Sequence, residues 1–262
     1  MSKLVSLRAL MRTLRAPVDG CPWDRAQTFA TLVPHTLEEA YEVADTIERG
    51  NLADLPVELG DLLFQVIFYC QLGEEQGLFS FDDVMQVLEH KLRRRHPHVF
   101  GDATVADAAA VNAQWEESKA DERRAAKPTA QVSELDDVAA SLPALTRAGK
   151  LQKRAARVGF DWPDVAGAWA KLEEELAELA RATVARSPPA IAEELGDLLF
   201  AAVNVARHLA VDPEAALRLA NRKFERRFRF IERQLAVRGM TVAATDAELL
   251  DELWEVAKLA CR

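Results

Sequence analysis

The chain has 262 residues, enough for two domains of about 100 to 130 residues that each bury a core. Apolar residues make up 49%, while Gly and Pro number only 11 each and Tyr two, a composition that argues against a β-rich fold and for an all-α one. The formal net charge of −9 argues against a general nucleic-acid or anionic-membrane coat, although local basic clusters persist within it.

In chain order, Leu4, Leu7, Leu10, Met11 and Leu14 follow the three-and-four spacing of an amphipathic helix that ends near Pro17. Met1 to Arg8 lacks the apolar core and cleavage site of a signal peptide, so secretion is not expected. Gly20-Cys21-Pro22-Trp23-Asp24 breaks the helix. Thr36-Leu37-Glu38-Glu39 has the form of a capping box, which predicts a helix from Thr36 to Arg49 that stops at Gly50. Asp54, with Pro56 in the first turn, predicts a helix carrying Glu58 and Asp61 and stopping near Gly77. Its most apolar run, Leu62 to Leu72, carries Gln65 and Gln71 and falls short of the roughly 20 residues a membrane span needs, so it reads as a buried core helix. Ser80 with Asp83 starts another, which ends in Lys91-Leu92-Arg93-Arg94-Arg95-His96-Pro97, and Thr104 opens one through Trp115.

Asp121 to Asp136 is charged, Ala-rich and without an apolar stripe, the look of a linker, and divides the chain into domains at 1–124 and 134–262 joined by 125–133. The second half repeats the plan. A helix from Leu142 to Ala156 breaks at Gly159, Trp162 and Pro163, and the next carries Glu174, Glu175 and Glu178 up to Ser187-Pro188-Pro189. A helix with Glu194 and Asp197 runs to about Ala210, Asp212-Pro213 starts one through Lys223 and Arg227 to Gly239, and a last helix holds Trp254. The cysteines Cys21, Cys70 and Cys261 are odd in number and lack zinc spacing, which fits a reducing cytoplasm.

The two halves are copies. Glu58 to Phe64 and Glu194 to Phe200 both read ELGDLLF, and Glu38-Glu39-x-x-Glu42 recurs as Glu174-Glu175-x-x-Glu178. Lys91-x-x-Arg94-Arg95 answers Lys223-x-x-Arg226-Arg227, and Trp115-Glu116-x-x-Lys119 answers Trp254-Glu255-x-x-Lys258. Acids three and four apart stack on one helix face, and two such helices packed antiparallel bring about four carboxylates together. An acid-rich helix is ordinarily a solvated face, but these acids match between copies where neighbours such as Phe68 and Asn204 differ. Oxygen ligands without His or Cys suit Mg²⁺, Mn²⁺ or Ca²⁺, and Mg²⁺ is favoured. Lys223 and Arg227, four apart on a helix, suit phosphate oxygens, so acids with bases suggest a metal-bound polyphosphate. The Leu-Leu-Phe of the heptapeptide is expected to anchor its helix in the core.

This set, with GCPWD, the Lys91 to Phe100 stretch and the NRKFERRF of 221 to 228, resembles the two-domain MazG nucleoside triphosphate pyrophosphohydrolases over nearly the whole chain. The resemblance implies an all-α fold of two tandem helical bundles in a homodimer or higher homo-oligomer. It also implies hydrolysis of NTPs or dNTPs to the monophosphate and pyrophosphate with Mg²⁺, Mn²⁺ being a possible substitute, in a house-cleaning role. Carried over by motif, Glu175, Glu178, Glu194 and Asp197 are expected metal ligands and catalytic residues. Glu174, Lys223, Arg227, Trp254, Lys258 and Asn204 are expected on the substrate side. Glu39, Glu42, Glu58, Asp61, Lys91 and Arg95 form a possible second site. Asn204 and Asn221 stand where the first half has Phe68 and Glu89, and neutral amides can hydrogen-bond a sugar or phosphate, so the C-terminal half is expected to be the principal site. A di-iron bundle expects Glu-x-x-His pairs, whereas the third residue after Glu58 and Glu194 is Asp. The remaining alternative is a non-catalytic helical interaction module. No membrane association or stable nucleic-acid binding is expected.

Overall fold

Two long helical hairpins, one in each half, carry the acids. In the computed structural model the described residues are 3–101, 107, 110, 111, 114, 115, 118, 122 and 133–261. The chain divides into two compact units, Met1–Pro128 and Thr129–Arg262, and the described residues contain no strand. The predicted helix start at Thr104 and all but residue 133 of the predicted linker 125–133 lie outside the described residues.

In the first unit, α1 (Lys3–Leu14), α3 (Phe29–Glu48), α4 (Leu55–Glu75) and α5 (Phe81–Arg95) form the body, with the short α2 (Pro22–Ala26) and α6 (Pro97–Phe100) between them. The expected break at Gly20 to Asp24 thus contains α2, with Pro22 at its N-terminal end. α3 and α4 pack as the hairpin, and α1 and α5 pack on α4. Phe68 is 0% exposed and joins Met11, Leu32, Ile67, Cys70, Leu72 and Phe81 in the core. By length and composition the whole of α4 could cross a membrane, a test that buried core helices also pass. Phe68 and its neighbours nonetheless make α4 the central packing helix of this unit.

The N-terminus of α3 corrects the sequence reading. Thr36 is not its N-cap: Thr28 is, in a capping box whose hydroxyls accept from the Thr31 and Thr28 backbone N–H groups at 3.3 and 2.8 Å. The two extra turns place Phe29 and Leu32 on the core, which outweighs the single backbone hydrogen bond lost at Pro34 inside the helix. Thr36 instead donates to the Leu32 carbonyl at 3.0 Å or meets the Tyr69 hydroxyl at 2.9 Å, and Glu39 is free of any capping role. Ser80 and Asp83 do form their predicted capping box. Asp54 precedes α4 without a side-chain cap bond, its carboxylate accepting instead from Asn51.

The second unit comprises α7 (Ala144–Arg157), α8 (Val165–Ala185), α9 (Pro188–His208), α10 (Pro213–Val237), a 3₁₀ turn at Val242–Ala244, and α11 (Ala247–Ala260). α8 and α9 form the hairpin, α7 packs on α9, and α10 packs on α11 around Ile231, Leu235, Leu253 and Ala257. Asp164, Asp212 and Asp246 cap their helices with side-chain oxygens. Ser187-Pro188-Pro189, expected to end a helix, also begins one: α8 stops at Ala185 and Pro188 opens α9. Arg186 takes the left-handed turn, φ 52°, where the first copy has Gly50 at φ 73°.

The expectation that Leu-Leu-Phe anchors each hairpin in the core holds for Phe64, which packs on the first core at 5.8 Å from the Phe68 ring, and fails at the more exposed positions. Leu199 and Phe200 are 50% and 46% exposed and Leu63 is 41% exposed, the buried contacts coming a turn later from Ile67, Phe68 and Val203. One unit supplies too few helices to cover every side of α4 or α9.

Arg15 binds Glu75 at 2.7 Å and, with the Arg15 side chain largely buried, holds that carboxyl below the usual range. A carboxyl so depressed contributes stability above its unfolded value of 4.5, which is lost as pH falls through the lower folded value. Glu75→Gln should therefore cost about 1 kcal/mol at pH 7 and progressively less as the pH falls below 4.5 and through the lower folded value in denaturant titrations. Phe68→Ala should cost about 3–5 kcal/mol in the same measurement, because the ring has no solvent to retreat to.

Candidate active site

Glu174, Glu175 and Glu178 lie on α8, and Glu194 and Asp197 on α9, facing one another across the hairpin. Glu175, Glu194 and Asp197 each place a carboxylate oxygen within 4.8 Å of the others. Glu175 is 5% exposed, so its charge has lost most of its water. Lys171 compensates, binding Glu175 at 2.7 Å and Glu174 at 2.9 Å, and the pair raises the Lys171 ammonium well above the usual lysine range. Glu178 leans along α8 to Arg181 at 2.9 Å. It remains near enough to act on Glu194, whose carboxyl is held above the usual range by desolvation, then by the charges of Glu178, Glu175, Glu193 and Asp197.

The first copy gathers Glu39, Glu42 and Glu58 within the same 4.8 Å. Asp61 lies outside that trio, but its charge reaches Glu39, whose carboxyl is raised by desolvation and then by Asp61, Glu42 and Glu38. The two trios are not position-matched, for a readable reason. Arg181, which draws Glu178 aside, is Asp45 in the first copy, where Glu42 has no such cation among the described residues and Asp45 instead pairs with Arg49.

Among the described residues, no hydrogen bond or ion pair joins the candidate cations to the acids. Lys223 and Arg227 lie on α10, and the Arg227 guanidinium sits over the Trp254 ring at 5.6 Å with its Nε buried and unbonded. Trp254 also packs on Phe224 at 5.7 Å beside the α10–α11 core, and Lys258 pairs with Glu255 at 2.5 Å. In the first copy Lys91 and Arg95 lie on α5. There Arg95 is bound to Glu122 at 2.7 Å, and its carbonyl accepts from Trp115 Nε1 at 2.7 Å. Asn204 lies two turns beyond Asp197 on α9, its Oδ1 accepting from Arg207 Nε at 3.0 Å.

Sequence reasoning missed Lys171. Its signal was present as the three- and four-residue spacing to Glu174 and Glu175, but a lone lysine among acids reads as a surface pair. The donor set of both clusters is oxygen only, which fits a hard divalent cation and lacks the Cys and His donors of structural zinc sites.

The sequence model of the MazG nucleotide pyrophosphohydrolase domain matches residues 27–100 and 166–229, one segment for each acid hairpin. The chain is 50% identical over 262 residues to a nucleoside triphosphate pyrophosphohydrolase of Escherichia coli K12, covering 98% of both chains. It is 44% identical over 252 residues to the nucleoside triphosphate pyrophosphohydrolase/pyrophosphatase MazG of Thermotoga maritima, covering 96% of this chain and 94% of that one. It is also 44% identical over 254 residues to the Bacillus subtilis protein YabN, of which it spans 51%.

Crowded carboxylates carry a cost that a neutral isostere removes. Glu194→Gln should raise the thermal midpoint measured in excess chelator; a lower midpoint would contradict the repulsion between these carboxylates.

Proposed function

The chain belongs to the MazG family of nucleotide pyrophosphohydrolases and is a nucleoside triphosphate pyrophosphohydrolase, and we propose that it carries out this reaction at the acid cluster of α8 and α9 with Mg²⁺ as cofactor. The observation that supports the reading is the approach of Glu175, Glu194 and Asp197 to within 4.8 Å with Glu194 held in its protonated direction. A knot of like charge with one member buried calls for a cation, and Mg²⁺ meets its substrates through phosphate oxygens.

Glu175, Glu194 and Asp197 would hold the ion, joined by Glu178 on release from Arg181. The bound ion supplies positive charge for the phosphates and lowers the pKa of water. The rest falls to the side chains. One acid of the cluster accepts the proton of the attacking water, and the bond between the α and β phosphates breaks to leave the monophosphate and pyrophosphate. Lys171, which pairs with Glu175 at 2.7 Å, is assigned to turn its ammonium to a phosphate oxygen when a divalent cation takes that carboxylate. Lys223 and Arg227 are assigned to stabilise charge on the phosphates, with Glu174, Asn204, Trp254 and Lys258 on the nucleotide side.

The C-terminal hairpin is proposed as the principal site. Arg95 of the first copy is already neutralised by Glu122, whereas Arg227 makes no ion pair among the described residues, and Asn204 stands where the first copy has the buried Phe68. Glu39, Glu42, Glu58, Asp61, Lys91 and Arg95 then form a weaker or structural site. Exposed Leu195, Leu199 and Phe224 fit burial against a second copy, so a homo-oligomer is the proposed state, and cytoplasmic nucleotide-pool housekeeping the proposed role.

Incubation with nucleoside triphosphates and Mg²⁺ should yield pyrophosphate and monophosphate in equal amounts, and excess EDTA should stop it. Asp197→Asn should lower turnover by about 10²–10³-fold. Phosphate and diphosphate as products, or turnover unaffected by EDTA, would refute the assignment.

A further inference from the structure

Arg94 and Arg95 of α5 match Arg226 and Arg227 of α10, and Trp115 matches Trp254, yet the two arginine pairs meet different partners. Seven residues after Trp115 stands Glu122, and seven after Trp254 stands Cys261. In the first copy both oxygens of the Glu122 carboxylate are taken. Arg94 Nη2 donates to Oε1 at 2.6 Å, while Arg95 donates from Nη2 to Oε2 at 2.7 Å and from Nε to Oε1 at 3.3 Å. Arg95 is fixed from behind, its carbonyl accepting from Trp115 Nε1 at 2.7 Å, and the His96 ring meets the Trp115 ring edge to face at 5.0 Å. The hydrogen bond from Arg95 holds the Glu122 carboxyl below the usual glutamate range; desolvation opposes that and Arg94 adds to it, so Glu122 is an anion at neutral pH. In the second copy the Cys261 thiol donates to the Arg226 carbonyl at 3.9 Å, and Arg227 lies over Trp254 with its Nε buried and unbonded. An acid in one copy is a neutral thiol in the other.

We infer that the first copy holds a masked polyphosphate site: Arg94 and Arg95, with Lys91 one turn earlier on α5, are its cations, and Glu122 is a built-in anion seated where phosphate oxygens would bind. A guanidinium fork takes a carboxylate or a phosphate through the same N–H donors, so a carboxylate held by two arginines marks a place that phosphate oxygens fit. The resident anion has the advantage. Tethered by the chain, it acts at an effective concentration on the order of millimolar, which a free anion has to exceed. An Arg–Glu contact is ordinarily a structural ion pair, but the second copy tells against that role here. It keeps both arginines and the tryptophan, and its core forms around Ile231, Leu235, Leu253 and Ala257 without the acid. The inference rests on the assignment of Arg227 to the phosphates and goes beyond it, because it gives the first copy a ligand class and names the side chain that excludes that ligand.

Calorimetric titration of the full-length protein in excess EDTA, with inorganic tripolyphosphate and separately with ATP, tests this. Glu122→Gln, which keeps the shape of the side chain, and Glu122→Cys, which installs the residue of the second copy, should each tighten tripolyphosphate binding at one site per chain by about tenfold or more. Glu122→Asp keeps the charge and should gain less than either, and adding Arg95→Ala to Glu122→Gln should remove the gain. ATP binding more tightly than tripolyphosphate would make this a nucleotide site, and equal affinity a site for the phosphate chain alone; both uphold the masked site. Parental binding in Glu122→Gln and Glu122→Cys, or a gain that survives Arg95→Ala, would overturn it. Pyrophosphate release by the parent without any gain in the variants would keep the reaction assignment and remove the masked site. A gain in the variants of a parent that releases no pyrophosphate would do the reverse.

Discussion

Carboxylates brought within 4.8 Å of one another repel, and the fold around them exists to enforce that approach. In the C-terminal unit the enforcement comes from two helices of 21 residues joined across Arg186 and Ser187, a turn too short to let them separate. Burial of Ala168, Ala182, Val203 and Val205 along those helices supplies the apolar free energy that opposes the repulsion. Lys171 relieves part of it from within α8 by pairing with Glu175, and the remaining acids keep an excess of negative charge.

The two copies show how a duplicated motif can keep its acids and diverge around them. The heptapeptide is identical in both, yet its surroundings set different local chemistry. Arg181 draws one acid aside in the second copy, while Asp45 cannot do so in the first. Arg95 is tied to Glu122, whereas Arg227 lies over an indole. Phe68 fills the core of its unit, and Asn204 opens onto a cavity. Each difference is one side chain wide. Together they are the grounds for proposing the second hairpin as the principal site.

Much of this was legible in the sequence because helices are local. The spacing of Glu175, Glu178, Glu194 and Asp197 fixed which carboxylates could meet, and caps such as Ser80, Asp212 and Asp246 marked true helix starts. Thr36 misled because a capping pattern is a local preference of about 1 kcal/mol, and burial of Phe29 and Leu32 two turns earlier outweighs it. Leu199 and Phe200 misled because apolar identity does not say which neighbour covers a residue. Gln152 carried no pattern at all: its orphan acceptor arises only when α7 meets α9 at the Phe200 carbonyl. Tertiary packing, rather than any motif, sets that contact.

The claim on which the rest turns is that chemistry resides in the second acid hairpin, and equivalent glutamates offer a matched comparison within one full-length protein. Pyrophosphate release would be measured for Glu175→Gln and for Glu39→Gln under identical Mg²⁺ and triphosphate. A fall of about 10²-fold or more in Glu175→Gln, with most activity kept in Glu39→Gln, is the expected result. Activity kept in Glu175→Gln and lost in Glu39→Gln would contradict it.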